Sequence, residues 1–281
     1  MITTETLSLS YGIASALAWG SGDFAGGIAS KRGSVLAVVL FSQLLGSLVL
    51  AGAALIFSEP VPPMAHMGFG ALAGIFGILG LIALYRGLAR GRMGIVAPLS
   101  AVLTALVPIA YTALDVGFPT GLKITGFLFF MAGVWLLSSG NATFKISPLE
   151  LGLSITAGFG FGLFFIFIDQ ANEQAIFWPL VAARAASISL LLVTTLFTGK
   201  SVKPTRGQWI FMGLTGLLDA AGNCFFSLAA QLGRLDVAAV LGSLYPASTV
   251  ILAFVFLKER LQRRQWMGVA AAFTALVLIS I

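Results

Sequence analysis

The sequence predicts an all-α membrane protein in which ten transmembrane helices form two inverted five-helix repeats. Three observations lead to this fold class. The 281 residues are 58% hydrophobic and only 9% charged, with a mean hydropathy of +1.01. Apolar runs of helix length follow one another with short polar breaks between them. The second half of the chain also repeats features of the first half.

The composition excludes a soluble fold of this size. A soluble domain carries about 25% charged residues, because its whole surface faces water. A chain with 9% charged residues cannot cover such a surface, so lipid must be the solvent for most of the exterior. The 33 glycines and 23 phenylalanines suit close helix packing and a lipid-facing or pocket-lining surface.

The apolar runs have the length that a membrane crossing requires. A hydrocarbon core of about 30 Å is crossed by about 20 helical residues at about 1.5 Å each. Breaks rich in charged residues, proline or asparagine separate the runs, and little sequence remains for an extramembrane domain. The predicted spans cover residues 8–29, 35–57, 67–89, 94–114, 120–139, 148–169, 175–198, 208–230, 236–257 and 261–280.

The two halves resemble each other at a nearly fixed offset. A shift of 140 positions places residues 12–24 over residues 152–164, where three glycines and a phenylalanine match. A shift of 142 places FGALAGIFGILG over FMGLTGLLDAAG. We therefore divide the chain into a first repeat, 1–141, and a second repeat, 142–281. Five is an odd number of spans, so the repeats must have opposite orientations in the membrane, a plan common in secondary transporters.

The basic residues predict the orientation. They concentrate in the odd-numbered connections, whereas the even-numbered connections hold only Lys123 and Arg234. By the positive-inside rule the odd-numbered connections are cytoplasmic, which places both termini in the periplasm and the protein in a bacterial inner membrane. Because the net charge of +6 is spread over these short breaks, no nucleic-acid partner is expected.

Neither a metal site nor another cofactor is expected. The only cysteine, Cys224, lies in an apolar run, and the only histidine, His66, lies in a proline-rich break. One residue of each kind cannot form the clusters that hold zinc. A single histidine excludes an HExxH motif, and His66 in its proline-rich break is not expected to form a Ser–His arrangement, so an intramembrane enzyme is disfavoured.

Two segments carry a resemblance to a known family. The first predicted span contains Trp19-Gly20-Ser21, and LKERLQRRQWMG, at residues 257–268, precedes the last span. With the predicted ten spans in two fives, the chain resembles the EamA-type branch of the drug/metabolite transporter superfamily, and most closely its bacterial exporters of amino acids, aromatic ones included. The connection at residues 115–121 departs from the family, because it lacks the glutamate-rich break.

The resemblance implies a central cavity lined mainly by spans one, three, four, six, eight and nine. It implies a small-molecule substrate and the lipid bilayer as partners, but it leaves the substrate open. Members of the family handle amino acids, nucleotide precursors and cationic drugs.

Ionisable residues inside predicted spans need a partner or a function, because their insertion costs at least about 2.5–3.5 kcal/mol. Asp23, Asp219 and Arg184 are the candidates for substrate binding or proton coupling, and an internal ion pair is the structural alternative. Asn223 follows Asp219 by one helical turn, so the two form a polar stripe. Gln43 is interpreted as an interhelical hydrogen-bond partner.

Aromatic and hydroxyl side chains indicate the substrate class. Trp19, Tyr85 and Tyr245 lie on spans expected to line the cavity, where they could stack on an aromatic solute or hold a cation. An interfacial aromatic belt is the alternative. Hydroxyl groups on spans four and nine could hold a carboxylate or an ammonium group without a full buried charge. They belong to Ser100, Thr104 and Ser243.

Three prolines lie within predicted spans four and nine. Pro98, Pro108 and Pro246 each remove a helix hydrogen bond, which predicts kinks that could serve as hinges.

These observations predict a secondary transporter that exports small amphipathic metabolites by alternating access. The alternatives are an exporter of other metabolites or cationic drugs, a channel and, least favoured, an intramembrane enzyme. A monomer or a weak homodimer is expected.

Overall fold

A computed structural model describes residues 3–90, 93–138, 147–199, 202–257 and 262–279. Over these residues the regular structure is entirely helical, and successive helices are joined by short connections. The helices, in chain order, are α1 (Thr4–Arg32), α2 (Val35–Ile56), α3 (Met64–Arg90), α4 (Met93–Asp115), α5 (Gly121–Ser138), α6 (Pro148–Ala171), α7 (Phe177–Thr198), α8 (Trp209–Leu232), α9 (Leu235–Gly242), α10 (Tyr245–Leu257) and α11 (Arg263–Ile279).

Local sequence signals explain where several helices begin. The side chains of Thr3 and Ser34 accept hydrogen bonds from backbone N–H groups in the first turns of α1 and α2. Helix α6 begins with a capping box, in which Ser147 and Glu150 each accept from the other's backbone N–H. Such caps satisfy N–H groups that have no partner within the helix.

The all-helical fold class is confirmed, and five helices are long and apolar enough to cross a membrane. These are α2, α3, α6, α7 and α8, while α4 and α5 contain shorter apolar stretches, all within the described part of the chain. The count of ten spans and their inverted arrangement therefore stay predictions.

The predicted ninth span, 236–257, is divided between two helices. Helix α9 ends at Gly242, Ser243 and Leu244 form a turn, and α10 begins at Tyr245. Pro246 explains this break, because it has no N–H group to donate to the carbonyl of Gly242. Helix α4, by contrast, is helical through Pro98 and Pro108. A hinge role for the three prolines stays a prediction.

The main helix contacts join one half of the chain to the other. Helix α1 packs on α8 and α3 packs on α6, while α2 contacts both α7 and α8 and α3 also contacts α7. Helix α5 packs on α11, α4 contacts α6 and α9, and α1 contacts α9 and α10. The interior therefore lies between the halves rather than inside either one.

Glycines allow the closest of these approaches. A Cβ atom at Gly216 in α8 would lie 2.7 Å from the carbonyl oxygen of Ser42 in α2. Gly74 in α3 lies similarly close to the carbonyl of Ala183 in α7, and Gly74 and Gly216 are separated by the repeat offset of 142. Backbone-to-backbone contact of this kind is what small residues provide in membrane helix bundles.

Candidate functional site

A pocket lies where eight of the helices meet, and both halves of the chain contribute to it. Its apolar lining comes mainly from α3, α6 and α7. Its polar and amphipathic lining comes from α1, α2, α4, α7, α8 and α10. These residues are Trp19, Asp23, Gln43, Thr104, Arg184, Ser187, Asp219, Asn223 and Tyr245.

An ion pair occupies one wall of the pocket. The Nη2 atom of Arg184 in α7 lies 2.6 Å from Oδ2 of Asp219 in α8, and their side chains are 8% and 22% exposed. Nη1 of the same guanidinium donates a 2.7 Å hydrogen bond to Oε1 of Gln43 in α2. The amide of Asn223 donates to the backbone carbonyl of Asp219 at 2.6 Å. Arg184 therefore has a carboxylate on one side and an amide on the other.

The second carboxylate of the pocket has a different partner. The hydroxyl of Tyr85 in α3 faces the carboxyl group of Asp23 in α1. Tyr85 is only 1% exposed. Its hydroxyl lies against Gly26, where a Cβ atom would come within 2.6 Å of the ring carbon that carries the hydroxyl. The absence of a side chain at Gly26 thus leaves the space in which Tyr85 reaches Asp23.

Aromatic rings form a wall beside these charges. The indole of Trp19 stacks on Phe165 with ring centroids 5.5 Å apart and lies 5.6 Å from the tilted ring of Phe226. Phe165 and Phe226 stack on each other at 4.1 Å. The indole occupies space beside Gly222, where a Cβ atom would meet its Cδ1 atom at 2.5 Å. Trp19 and Asp23 are one helical turn apart on α1 and both line the pocket.

Hydroxyl groups of α4 and α10 form a third group. The Tyr245 hydroxyl and Ser100 Oγ lie 3.0 Å apart, and the Thr104 hydroxyl donates to the Ser100 carbonyl at 2.8 Å. Thr104 and Tyr245 line the pocket, whereas Ser100 lies behind them. Ser243, at the break between α9 and α10, is fully buried, and its hydroxyl has no hydrogen-bond partner among the described residues.

The structure brings together most of the residues that the sequence singled out. Seven of the ten candidates for substrate binding or coupling line the pocket, while Tyr85 and Ser100 support lining residues from behind and Ser243 lies outside the lining. The family resemblance did not place spans two and seven at the cavity, yet α2 and α7 contribute Gln43 and Arg184 to the pocket wall. Sequence reasoning also missed Ser187, which donates to the Gly74 carbonyl at 2.8 Å, and the ring of Phe165. Phenylalanines occur throughout the chain, so their type alone could not select Phe165.

No described residues form a group of three or more His, Cys, Asp or Glu side chains that could hold a metal ion. The pocket offers groups suited to binding: charged side chains, aromatic rings and hydroxyl groups around a space lined by both halves of the chain.

Comparison with known proteins agrees with this architecture. The chain is 26% identical over 135 residues to an uncharacterised protein of Methanocaldococcus jannaschii, an alignment that covers 48% of this chain and 97% of that protein. A crystal structure of a protein that is 17% identical superposes with a TM-score of 0.78, covering 96% of this chain and 95% of the other. This second likeness shows a shared fold.

The sequence pattern of the EamA-like transporter family matches residues 149–281. Residues 149–281 thus form an EamA-like transporter segment, and this match supports the resemblance to the EamA-type branch of the drug/metabolite transporter superfamily that the sequence predicts.

Proposed function

We propose that the protein is a secondary transporter that exports small amphipathic metabolites, with amino acids, including aromatic ones, as the leading substrates. One observation carries this proposal: the pocket combines Asp23 and the Arg184–Asp219 pair with the Trp19–Phe165 stack. A solute with an amino group and an apolar or aromatic body fits such a lining.

The helix contacts support the division into two inverted repeats at 1–141 and 142–281. In the two repeats α1 corresponds to α6, α2 to α7 and α3 to α8. When each helix is exchanged for its counterpart, the contact between α1 and α8 becomes the contact between α6 and α3. The same exchange turns α2–α8 into α7–α3, and it turns α4–α6 into the contacts of α9 and α10 with α1. The archaeal relative, aligned over nearly its whole length with about half of this chain, supports a half-length unit.

Equivalent contacts at the two ends of the bundle support alternating access. The side chain of Gln208 donates to the Ala29 carbonyl at 2.9 Å, where α8 begins and α1 ends. His66 Nδ1 lies 3.2 Å from the Gln170 carbonyl oxygen, where α3 begins and α6 ends. His66 and Gln208 are separated by the repeat offset of 142. Because α2 extends from one contact to the other, the two contacts lie at opposite ends of the bundle, and separating each in turn would expose the pocket to each side of the membrane.

The substrate class follows from the charges and rings of the pocket. Two carboxylates and one guanidinium are too few and too mixed in sign for a polyanion such as a nucleotide. We also propose that the protein lies in an inner membrane as a monomer or weak dimer. Both termini would lie in the periplasm, and the basic residues in the odd-numbered connections support this orientation.

Counterflow in liposomes tests this function. The purified chain is reconstituted with unlabelled solute inside, and entry of labelled amino acids, nucleobases and quaternary amines is measured. We expect flux of phenylalanine or tryptophan to exceed that of threonine. Trp19→Ala should lower flux of the aromatic amino acids by about tenfold, since each ring contact contributes about 0.5–1.5 kcal/mol.

The matched control is Trp266→Ala, because Trp266 lies on α11 and is 57% exposed. Trp266→Ala should leave the ranking of solutes unchanged. Loss of all solutes equally in Trp19→Ala would refute the aromatic wall as the selective feature, and absence of amino-acid flux in the wild-type protein would refute the amino-acid proposal.

A further inference from the structure

The two pocket carboxylates have different partners, and this difference indicates different roles for them. Asp219 faces the guanidinium of Arg184 at 2.6 Å. Asp23 faces the hydroxyl of Tyr85. A guanidinium neutralises a carboxylate, whereas a hydroxyl stabilises its charge and leaves that charge in place.

Asp219 is held on several sides. Its partner Arg184 is bonded by Gln43 on a third helix, and Asn223 bonds the backbone of Asp219 itself. A solute carboxylate that approached Arg184 would have to displace Asp219, and a solute ammonium that approached Asp219 would have to displace Arg184. Separating a buried pair leaves an uncompensated charge in a medium of low polarity. The Arg184–Asp219 pair is therefore a fixed part of the wall.

The remaining acidic side chain of the pocket is Asp23. Among the described lining residues only Arg184 is positively charged, so the pocket holds one carboxylate without a cation. Asp23 lies one turn from Trp19 on α1, which places this carboxylate next to the aromatic wall. An ammonium group attached to an aromatic body can contact both at once.

The hydroxyl donors of the pocket are already engaged. Thr104 donates to the Ser100 carbonyl and Ser187 donates to the Gly74 carbonyl. Tyr245 shares a hydrogen bond with the Ser100 hydroxyl. A solute carboxylate thus meets few free donors, whereas a solute ammonium meets the Asp23 carboxyl group, which has no cationic partner among the described lining residues.

Resting on the proposed transport function, we propose that Asp23, positioned by Tyr85, binds the solute's ammonium group, and that Asp219 serves only as the counter-ion of Arg184. The pocket then selects its solutes by the ammonium group and tolerates the carboxylate. This assignment makes Asp23 the residue that determines specificity and Tyr85 its positioning residue.

Three compounds with the same phenyl body test this assignment: phenylethylamine with an ammonium alone, phenylalanine with both charges, and phenylpropionate with a carboxylate alone. Their dissociation constants are measured from the ligand-dependent rise in melting temperature of the purified full chain. Phenylalanine counterflow in liposomes is measured in parallel. We expect the wild-type protein to bind phenylethylamine and phenylalanine roughly ten- to a hundredfold more tightly than phenylpropionate.

Asp23→Asn should remove this preference. The double variant Arg184→Gln with Asp219→Asn, which deletes the ion pair as a neutral unit, should keep it. Tyr85→Phe leaves every charge in place and should reduce the preference by about tenfold. If Asp23→Asn does not give a monodisperse protein, Tyr85→Phe carries the test, because a merely structural tyrosine would not change the ratio of amine to carboxylate binding.

The assignment is overturned if phenylpropionate binds as well as phenylethylamine, or if the double variant loses the preference while Asp23→Asn retains it. Either result can accompany normal phenylalanine counterflow. In that case the proposed transport of amino acids stands, and only the assignment of Asp23 as the ammonium-binding residue is refuted. Absence of counterflow, with the preference for phenylethylamine intact, would instead refute amino-acid transport and leave an ammonium-binding pocket.

Discussion

Glu59 caps a helix that belongs to the other half of the chain, and its removal should destabilise the protein. Its carboxylate accepts hydrogen bonds from the backbone N–H groups of Ile176, Phe177 and Trp178, at 2.7–3.1 Å, where α7 begins. Helix α7 has no side-chain cap of its own. The indole of Trp178 also donates to the Glu59 carbonyl at 2.8 Å. Glu59→Ala would leave these N–H groups without an acceptor.

The magnitude follows from the number of bonds and from exposure. Hydrogen bonds to a charged group contribute about 1.5–3 kcal/mol each, and the helix dipole favours an anion at this end by about 0.3–1 kcal/mol. Glu59 is half-buried, so water replaces part of what is lost. We expect Glu59→Ala to cost about 2–3 kcal/mol in free energy of unfolding. Glu59→Gln, which keeps an acceptor oxygen without the charge, should cost about half as much.

Thermal unfolding of purified protein in detergent measures this effect. A loss of about 2–3 kcal/mol corresponds to a fall in Tm of about 5–10 °C for a chain of this length. The control is Glu173→Ala, because Glu173 is an exposed acid in the same connection as Ile176 and should change Tm by less than about 2 °C. Equal melting temperatures for Glu59→Ala and Glu173→Ala would refute the argument that the carboxylate holds α7 in place.

Two further predictions concern topology and packing. In a background lacking the native cysteine, a cysteine replacing the exposed Val61 should react with an impermeant thiol reagent in intact spheroplasts, whereas one replacing the exposed Thr205 should not. The reverse labelling would overturn the orientation. Gly222→Ala should slow flux of aromatic solutes, because the new methyl group would lie 2.5 Å from Trp19. The control is Gly213→Ala on the same helix, where the nearest atom to the new methyl group lies 4.0 Å away, and it should leave this flux unchanged. Equal flux in both variants would refute the packing argument.

The helical elements were predictable from local features. Apolar runs and polar breaks located the helices to within a few residues. The ninth span was the exception, because Pro246 was interpreted as a kink and the structure ends one helix and begins another there. From the sequence, a proline predicts only the loss of one hydrogen bond within a helix. Whether the chain then bends or breaks depends on what packs around it, as the continuous helix through Pro108 shows.

The candidate site was predictable as a set of residues and not as an arrangement. Ionisable and aromatic residues in apolar runs identified Asp23, Arg184 and Asp219, because such residues are costly in lipid. The sequence offered Asp23 and Asp219 together as candidates for substrate binding or coupling. The different partners of these two carboxylates, which lie on helices α3 and α7, became visible only in the structure.

By itself, the sequence determined the membrane class of the protein, its helical elements and its family relationship, because hydropathy, charge and repeat period are properties of neighbouring residues or of fixed offsets. Only the tertiary structure decided that Arg184 faces Asp219 and that Tyr85 faces Asp23. These pairs are more than thirty residues apart in the chain. They meet because glycines such as Gly26 let particular helix faces approach, and a side chain's partner in a low-polarity interior is set by that approach.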